Sequence, residues 1–202
     1  MFMISLNLYK PDTKTNIKNN ICFAGAEKLL PSKQYHKKLI KLLVLDVDGT
    51  ISDRVTNAVN IEIKSNIQAV VKKGIKVILN TGRSYEEAAI VAKELNLNTP
   101  IICNYGKYIK HNGKLIYENP SNKVDLKGDS LEYFANICGI KKGNILSIGN
   151  DVEDISMFKA SGTSVVIDGS SSINEIKPFA HYLTDNFNKS GVALAIKKLI
   201  LE

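Results

Sequence analysis

From Lys41 onward, short runs of β-branched residues and leucine alternate with longer amphipathic stretches. That alternation predicts helices packed on both faces of a mostly parallel sheet, a Rossmann-like three-layer α/β fold. KLLVLDV (41–47) is continuously apolar up to a turn-rich DGT and reads as a buried strand. A helix is predicted from about Ile61 to Lys73, closed by Gly74. IKVILN (75–80) supplies a second strand, and Ser84 is placed to cap the helix YEEAAIVAKEL. TPIICN (99–104) is a third strand. YIKHNGKLIYE (108–118) has two alternating runs around Asn112–Gly113, the dipeptide best suited to a tight type I′ hairpin. A helix over 128–138, the strand NILSIG (144–149), the helix DVEDISMFKA and the strand TSVVI (163–167) follow. HYLT (181–184) and a last helix near 190–201 complete the unit.

The first 40 residues do not share this rhythm. They are rich in Lys, Asn and Thr, are broken by Pro11 and Pro31, and hold one apolar island, NICFAGAEKLL (20–30). The expected division is a basic, partly flexible arm over 1–40 and an α/β unit over 41–202. In that reading, the island docks as one strand or helix on this or a neighbouring subunit. With 202 residues, 44% hydrophobic and 23% charged, the chain can bury one substantial core. The net charge of +7 invites an acidic partner until it is located. Seven lysines against Asp12 and Glu27 put +5 in the arm, which leaves +2 for residues 41–202. Nucleic-acid binding therefore ranks last, since the arm has no interleaved aromatics or recognisable motif.

No stretch approaches the ~18 apolar residues of a membrane span, and the start lacks the apolar core of a secretory signal. A cytoplasmic location without a membrane partner is the expectation. Cys22, Cys103 and Cys138 are odd in number and far apart, so neither a disulfide framework nor a zinc site is supported. They are expected to be reduced, two of them in the core.

The strongest chemical signal is Asp46-Val-Asp48-Gly49-Thr50, directly after a buried strand. Carboxylates there face the crevice in which open α/β sheets bind ligands. A plain Asp-Gly turn would explain the string equally well if it stood alone. Three further features lower that reading. Thr81 and Gly82 sit between a strand and a helix, where a hydroxyl and backbone N–H groups can hold a phosphate. Lys127 opens a helix and can offset phosphate charge, although most lysines in such a chain are solvent decoration. Gly149-Asn150-Asp151-Val152-Glu153-Asp154 follows the fourth strand, and its hard oxygen donors suit Mg²⁺. The competing account of that string is acidic decoration of a helix N-terminus.

Taken in this order, the four elements resemble the haloacid dehalogenase-like (HAD) superfamily of aspartate-nucleophile phosphohydrolases. The resemblance covers roughly residues 41–202. The strings NTGRS, ICNYG…HNGKLIYE and AHYLTDNFNKSGVALAIKKLI are most similar to the Cof-type and phosphoglycolate phosphatase branch. The resemblance implies that Asp46 attacks phosphorus to form an aspartyl-phosphate and that Asp48 serves as general acid and base. It implies phosphate binding by Thr81, Gly82 and Lys127, with Arg83 and Asn104 on the substrate side. Mg²⁺ is the implied cofactor, with Asp46, Asp48, Asn150, Asp151 and Asp154 as candidate ligands.

The chain departs from that pattern in three ways. Asn150 stands where these phosphatases usually have Asp, leaving either Asn150 or Asp151 to ligate the metal. NYG (104–106) replaces Ser-Asn-Gly, and DGS (168–170) replaces Gly-Asn-Ala. Third, neither usual insertion point leaves room for a cap domain; only the small hairpin is inserted. Caps exclude water and select substrates. Capless relatives, such as octulosonate-phosphate phosphatases, close their sites by oligomerising, so a homo-oligomer, with a tetramer favoured, is expected. The implied substrate is a small phosphorylated metabolite: a sugar, a sugar acid or phosphoglycolate. The alternatives are an octulosonate-phosphate-type or phosphoprotein phosphatase, or a catalytically weakened binding or regulatory subunit. His36, His111 and His181 receive no role.

Overall fold

The computed structural model describes residues 21–23, 39–52, 58–185 and 190–202. Apart from one short strand, expectations for the arm, including His36, lie outside the described residues. The strands are β1 (Ile21–Phe23), β2 (Leu42–Leu45), β3 (Lys76–Leu79), β4 (Ile101–Cys103), β5 (Tyr108–His111), β6 (Lys114–Glu118), β7 (Ile145–Gly149), β8 (Thr163–Ile167) and β9 (Tyr182–Thr184). The α-helices are α1 (Ile61–Lys72), α2 (Tyr85–Glu94), α3 (Lys127–Ile137), α4 (Ile155–Ala160), α5 (Ile173–Ile176) and α6 (Gly191–Ile196). The main sheet runs β1-β9-β8-β7-β2-β3, with each neighbouring pair of strands parallel.

The continuous apolar run of β2 is explained by its place. All four residues are buried, because helices cover both faces of the sheet. Leu43 and Leu45 pack in one layer with Ile63, Ile67 and Val70 of α1, Val91 of α2 and Val192 of α6. Leu42 and Val44 point the other way, onto Leu131 and Phe134 of α3 and Phe158 of α4. This is the expected three-layer α/β fold.

Four details differ from the sequence expectations. The third strand, β4, meets β3 through a single parallel bridge, Asn80 to Ile102, and otherwise heads an antiparallel sheet β4-β5-β6. The segment after β7 is a 3₁₀ turn over Val152–Asp154 before α4 begins. A π-turn over Lys197–Leu201 ends the last helix. Between β8 and β9, α5 and a following 3₁₀ turn over Lys177–Phe179 occupy a stretch too short and too Ser-rich for periodicity to reveal. The hairpin closes as expected, with Asn112 at φ 50° and Gly113 at φ 75°. Cys103 is buried, whereas Cys138 is only partly so. Among the described residues no helix is long and apolar enough to cross a membrane.

The strand order fixes where chemistry can occur. The chain leaves β2 for β3 on one side and later returns to β7 on the other. The C-terminal ends of β2 and β7 therefore flank a topological switch point, the crevice in which α/β sheets bind ligands. Asp46 follows β2 and Asn150 follows β7.

Candidate active site

The floor of the crevice is a buried charge cluster. Lys127 Nζ donates to Asp46 Oδ1 at 2.8 Å and to Asp154 Oδ1 at 2.7 Å. Lys127 is only 2% exposed, so it is no solvent decoration. It is aimed inward because the start of α3 is tied down on several sides. Asn80 Nδ2 donates to the Lys127 carbonyl at 3.1 Å, and Asp125 Oδ1 accepts from the Lys127 N–H at 3.2 Å. Asp125 also accepts from Ser156 Oγ at 2.6 Å, which binds α3 to α4.

Asp46 is oriented from both ends. While Oδ1 faces Lys127, Oδ2 accepts from Thr50 Oγ1 at 3.1 Å. The same Thr50 hydroxyl lies 3.2 Å from Asn150 Oδ1. Two hard oxygens, one from each side of the switch point, thus converge on one hydroxyl. Thr50 completes the DVDGT string and was not singled out from the sequence; its small hydroxyl there was the available signal.

Asp154 spends both carboxylate oxygens on the scaffold. Oδ1 holds Lys127, and Oδ2 accepts from the N–H groups of Asn150 at 2.8 Å and Asp151 at 3.1 Å. Gly149 makes this return possible, since a Cβ there would sit 2.5 Å from Asp154 Cγ. Asp151 caps the 3₁₀ turn, with Oδ1 accepting from Val152 N at 2.7 Å and Ser172 Oγ at 3.1 Å.

At the rim, Arg83 grips Asp48 through two bonds, Nε to Oδ2 at 3.0 Å and Nη2 to Oδ1 at 2.6 Å. Thr81 is fully buried, and its Oγ1 accepts from Arg83 N at 3.2 Å. Gly82 and Arg83 line the cleft, as does Tyr105. Asn104 N donates to the Arg83 carbonyl at 2.8 Å, so its contribution to this region is through the backbone. His111 contacts Asn98 and His181 contacts Ser164, both away from the cleft. The cleft holds about 380 Å³ and is lined by five carboxylates, those of Asp46, Asp48, Asp151, Glu153 and Asp154, against Lys127 and Arg83.

The sequence profile of haloacid dehalogenase-like hydrolases matches residues 43–127 and 121–196. The chain belongs to this family. Among curated HAD relatives, phosphoglycolate phosphatase 1 of Saccharolobus solfataricus is 24% identical over 80% of this chain and 96% of its own length. A 5-amino-6-(5-phospho-D-ribitylamino)uracil phosphatase of Bacillus subtilis is 32% identical over 37% of this chain, a match that spans 25% of that protein. A HAD phosphatase of Bacteroides thetaiotaomicron superposes with a TM-score of 0.69 at 18% identity, over 85% of this chain and 98% of its own. A HAD sugar phosphatase from the same superfamily gives 0.67 at 16% identity, over 78% and 98%. The chain is accordingly a phosphoric monoester hydrolase of the HAD superfamily.

Electrostatics follow from burial. Desolvation pushes the Asp46 carboxyl up to about 6, and the Asp154 charge pushes the same way, while Lys127 pulls it down. Burial opposes the Lys127 charge, yet the carboxylates of Asp154 and Asp46 outweigh it and raise its pKa, so Lys127 stays cationic. At the rim, the hydrogen bonds that Asp48 accepts from Arg83 raise the Arg83 pKa.

The donor set fits a hard divalent cation. No group of three or more His, Cys, Asp or Glu side chains is arranged to hold a metal among the described residues. Mg²⁺ does not require one, since one or two carboxylates, neutral oxygens and retained waters suffice. Asp46 Oδ2 and Asn150 Oδ1, brought to a common hydroxyl, offer that kind of pair.

Proposed function

We propose that this HAD hydrolase is a Mg²⁺-dependent phosphatase of a small phosphorylated metabolite, acting through an aspartyl-phosphate on Asp46. The observation that carries the reading is Asp46 itself, at the switch point and on a cleft, held by Lys127 on one oxygen and Thr50 on the other. In the first step an Asp46 oxygen bonds to phosphorus as the ester P–O bond breaks, and Asp48 gives a proton to the departing alkoxide. In the second, Asp48 takes a proton from water as the hydroxide adds to phosphorus and releases Asp46. Asp48 leaves Arg83 to do this, and the phosphate offers Arg83 another anionic partner. Gly82 and Thr81 shape the loop that receives the phosphoryl oxygens, and Lys127 keeps Asp46 and Asp154 apart in charge. Asp46, the Asp48 carbonyl and Asn150 or Asp151 would hold Mg²⁺, which would supply the charge that lets a carboxylate approach a phosphate dianion.

The substrate class is a sugar phosphate, sugar acid phosphate or phosphoglycolate; the full-length relative from S. solfataricus carries the last name. The enzyme works in the cytoplasm. It forms a homo-oligomer, a reading supported by the exposed Leu115 and Ile116 on β6, at the edge of the small sheet. A stable monomer in size-exclusion chromatography would overturn that part. Hydrolysis of p-nitrophenyl phosphate tests the activity: turnover should require Mg²⁺ and vanish with chelator. Turnover undiminished by chelator would reject the metal dependence. Asn150→Asp should lower the Mg²⁺ concentration needed for half-maximal rate, and an unchanged requirement would assign the ligand to Asp151.

A further inference from the structure

The residues lining the cleft are carboxylates, an amide, two cations and a glycine, with one exception, Tyr105. Its side chain is the only carbon-rich surface that the described lining offers to whatever is attached to the phosphate. Three observations show that the position is built. Asn104 and Tyr105 adopt φ of 50° and 56°, followed by Gly106 at 91°, three left-handed residues in a row. A bulky residue there is strained and persists only where its surroundings determine it. They do so here. Asn104 N donates to the Arg83 carbonyl at 2.8 Å, Tyr105 N to the Thr81 carbonyl at 3.1 Å, and the Tyr105 carbonyl accepts from Leu126 N at 3.0 Å. The turn is thus clamped between the phosphate-side loop and the residue before Lys127. Finally, the ring lies directly on Gly82, where any Cβ would fall 2.5 Å from Tyr105 Cε1. Even so, Tyr105 remains 44% exposed.

We propose that Tyr105 is a specificity-determining residue, an aromatic platform that stacks on a ring in the leaving group and favours cyclic or aryl phosphomonoesters over short acyclic ones. The proposal rests on the phosphatase reading above and narrows its substrate class. Charged groups on the floor and rim hold the phosphate, which every phosphomonoester shares. Only a contact beyond the phosphate can discriminate between leaving groups, and in the described cleft that contact is the phenol ring.

The test compares wild type, Tyr105→Asn and Tyr105→Phe, all with Mg²⁺, on phenyl phosphate and 2-phosphoglycolate. Asn tolerates the left-handed backbone, and Phe keeps the ring without the hydroxyl. Tyr105→Asn should lower kcat/KM for phenyl phosphate by about tenfold, the scale of one aromatic contact, while leaving 2-phosphoglycolate within about twofold. Tyr105→Phe should behave as wild type. Comparing enzymes on each ester cancels the intrinsic reactivity of the two leaving groups. Calorimetric binding of phenylphosphonate and methylphosphonate reads the same preference without turnover. Wild type should bind the phenyl compound more tightly, and Tyr105→Asn should lose that margin. Equal effects on both esters, or no phenyl preference or no phosphonate binding in wild type, would overturn the proposal. A phenyl preference in binding with no ester turned over would sustain it and defeat the phosphatase reading instead.

Discussion

Two carboxylates only two residues apart meet opposite surroundings. Asp46 is 5% exposed and sits in a cluster whose other members, Lys127 and Asp154, are sealed from water. Asp48 keeps 36% of its side chain exposed, and its partner Arg83 keeps 13%. A charge taken out of water costs several kcal/mol unless paired, so every member of the floor cluster depends on the others. The rim pair stays wet, gains little and can separate at little cost. A nucleophile needs fixed position, whereas a proton carrier must change partners. The fold supplies each requirement by depth in the cleft.

Removing the floor cation should have the largest effect. Lys127→Met leaves two buried carboxylates facing each other, and stability in denaturant unfolding should fall by about 3–5 kcal/mol. A loss below about 1 kcal/mol would show that the floor is as wet as the rim. The next effect is read through pH on metal-free protein. The Asp46 pKa rises from 3.8 to about 6 on folding, so between those values the folded state holds more protons than the unfolded one. Stability from this group is therefore present at low pH and lost as pH rises through that window. The stability difference between wild type and Asp46→Asn should shift toward the variant from pH 4 to 6, by at most about 3 kcal/mol. No shift would mean that Lys127 fully offsets the burial.

At the rim the response should be smaller. Arg83→Gln is expected to cost less than about 1 kcal/mol of stability while raising KM, because a partly solvated pair contributes little to folding. A loss as large as that of Lys127→Met would erase the distinction between the two regions. Smallest of all, Tyr105→Asn should stabilise the fold by about 0.5 kcal/mol, since Asn accepts φ of 56° with less strain. Destabilisation in thermal unfolding would show that ring packing on Gly82 outweighs the backbone term.

The floor was largely legible in the sequence. Asp46, Lys127 and the Asn150–Asp154 string each mark a strand end or helix start, and hydrophobic periodicity places those ends at one edge of the sheet. What remained hidden depended on contacts across long sequence separations. Nothing local says that Asp154 turns both oxygens back onto Lys127 and the Asn150–Asp151 backbone, or that Thr50 reaches Asn150. The sharing of Asp125 between the starts of α3 and α4 is equally invisible to periodicity. In the sequence Tyr105 is only a departure in its string; its strained backbone and its seat on Gly82 appear only in three dimensions. The apolar island that holds β1 reads from sequence only as one strand or helix; its parallel pairing with β9 is set by the sheet edge it extends, not by its three residues.

The most direct measurement follows the phosphoryl group. Enzyme turning over p-nitrophenyl phosphate with Mg²⁺ is quenched in acid, digested and analysed by mass spectrometry. One phosphoryl group on the peptide containing Asp46, absent in Asp46→Asn, is the predicted result. Continued turnover by Asp46→Asn, or phosphorylation confined to another residue, would contradict the assignment of Asp46 as nucleophile.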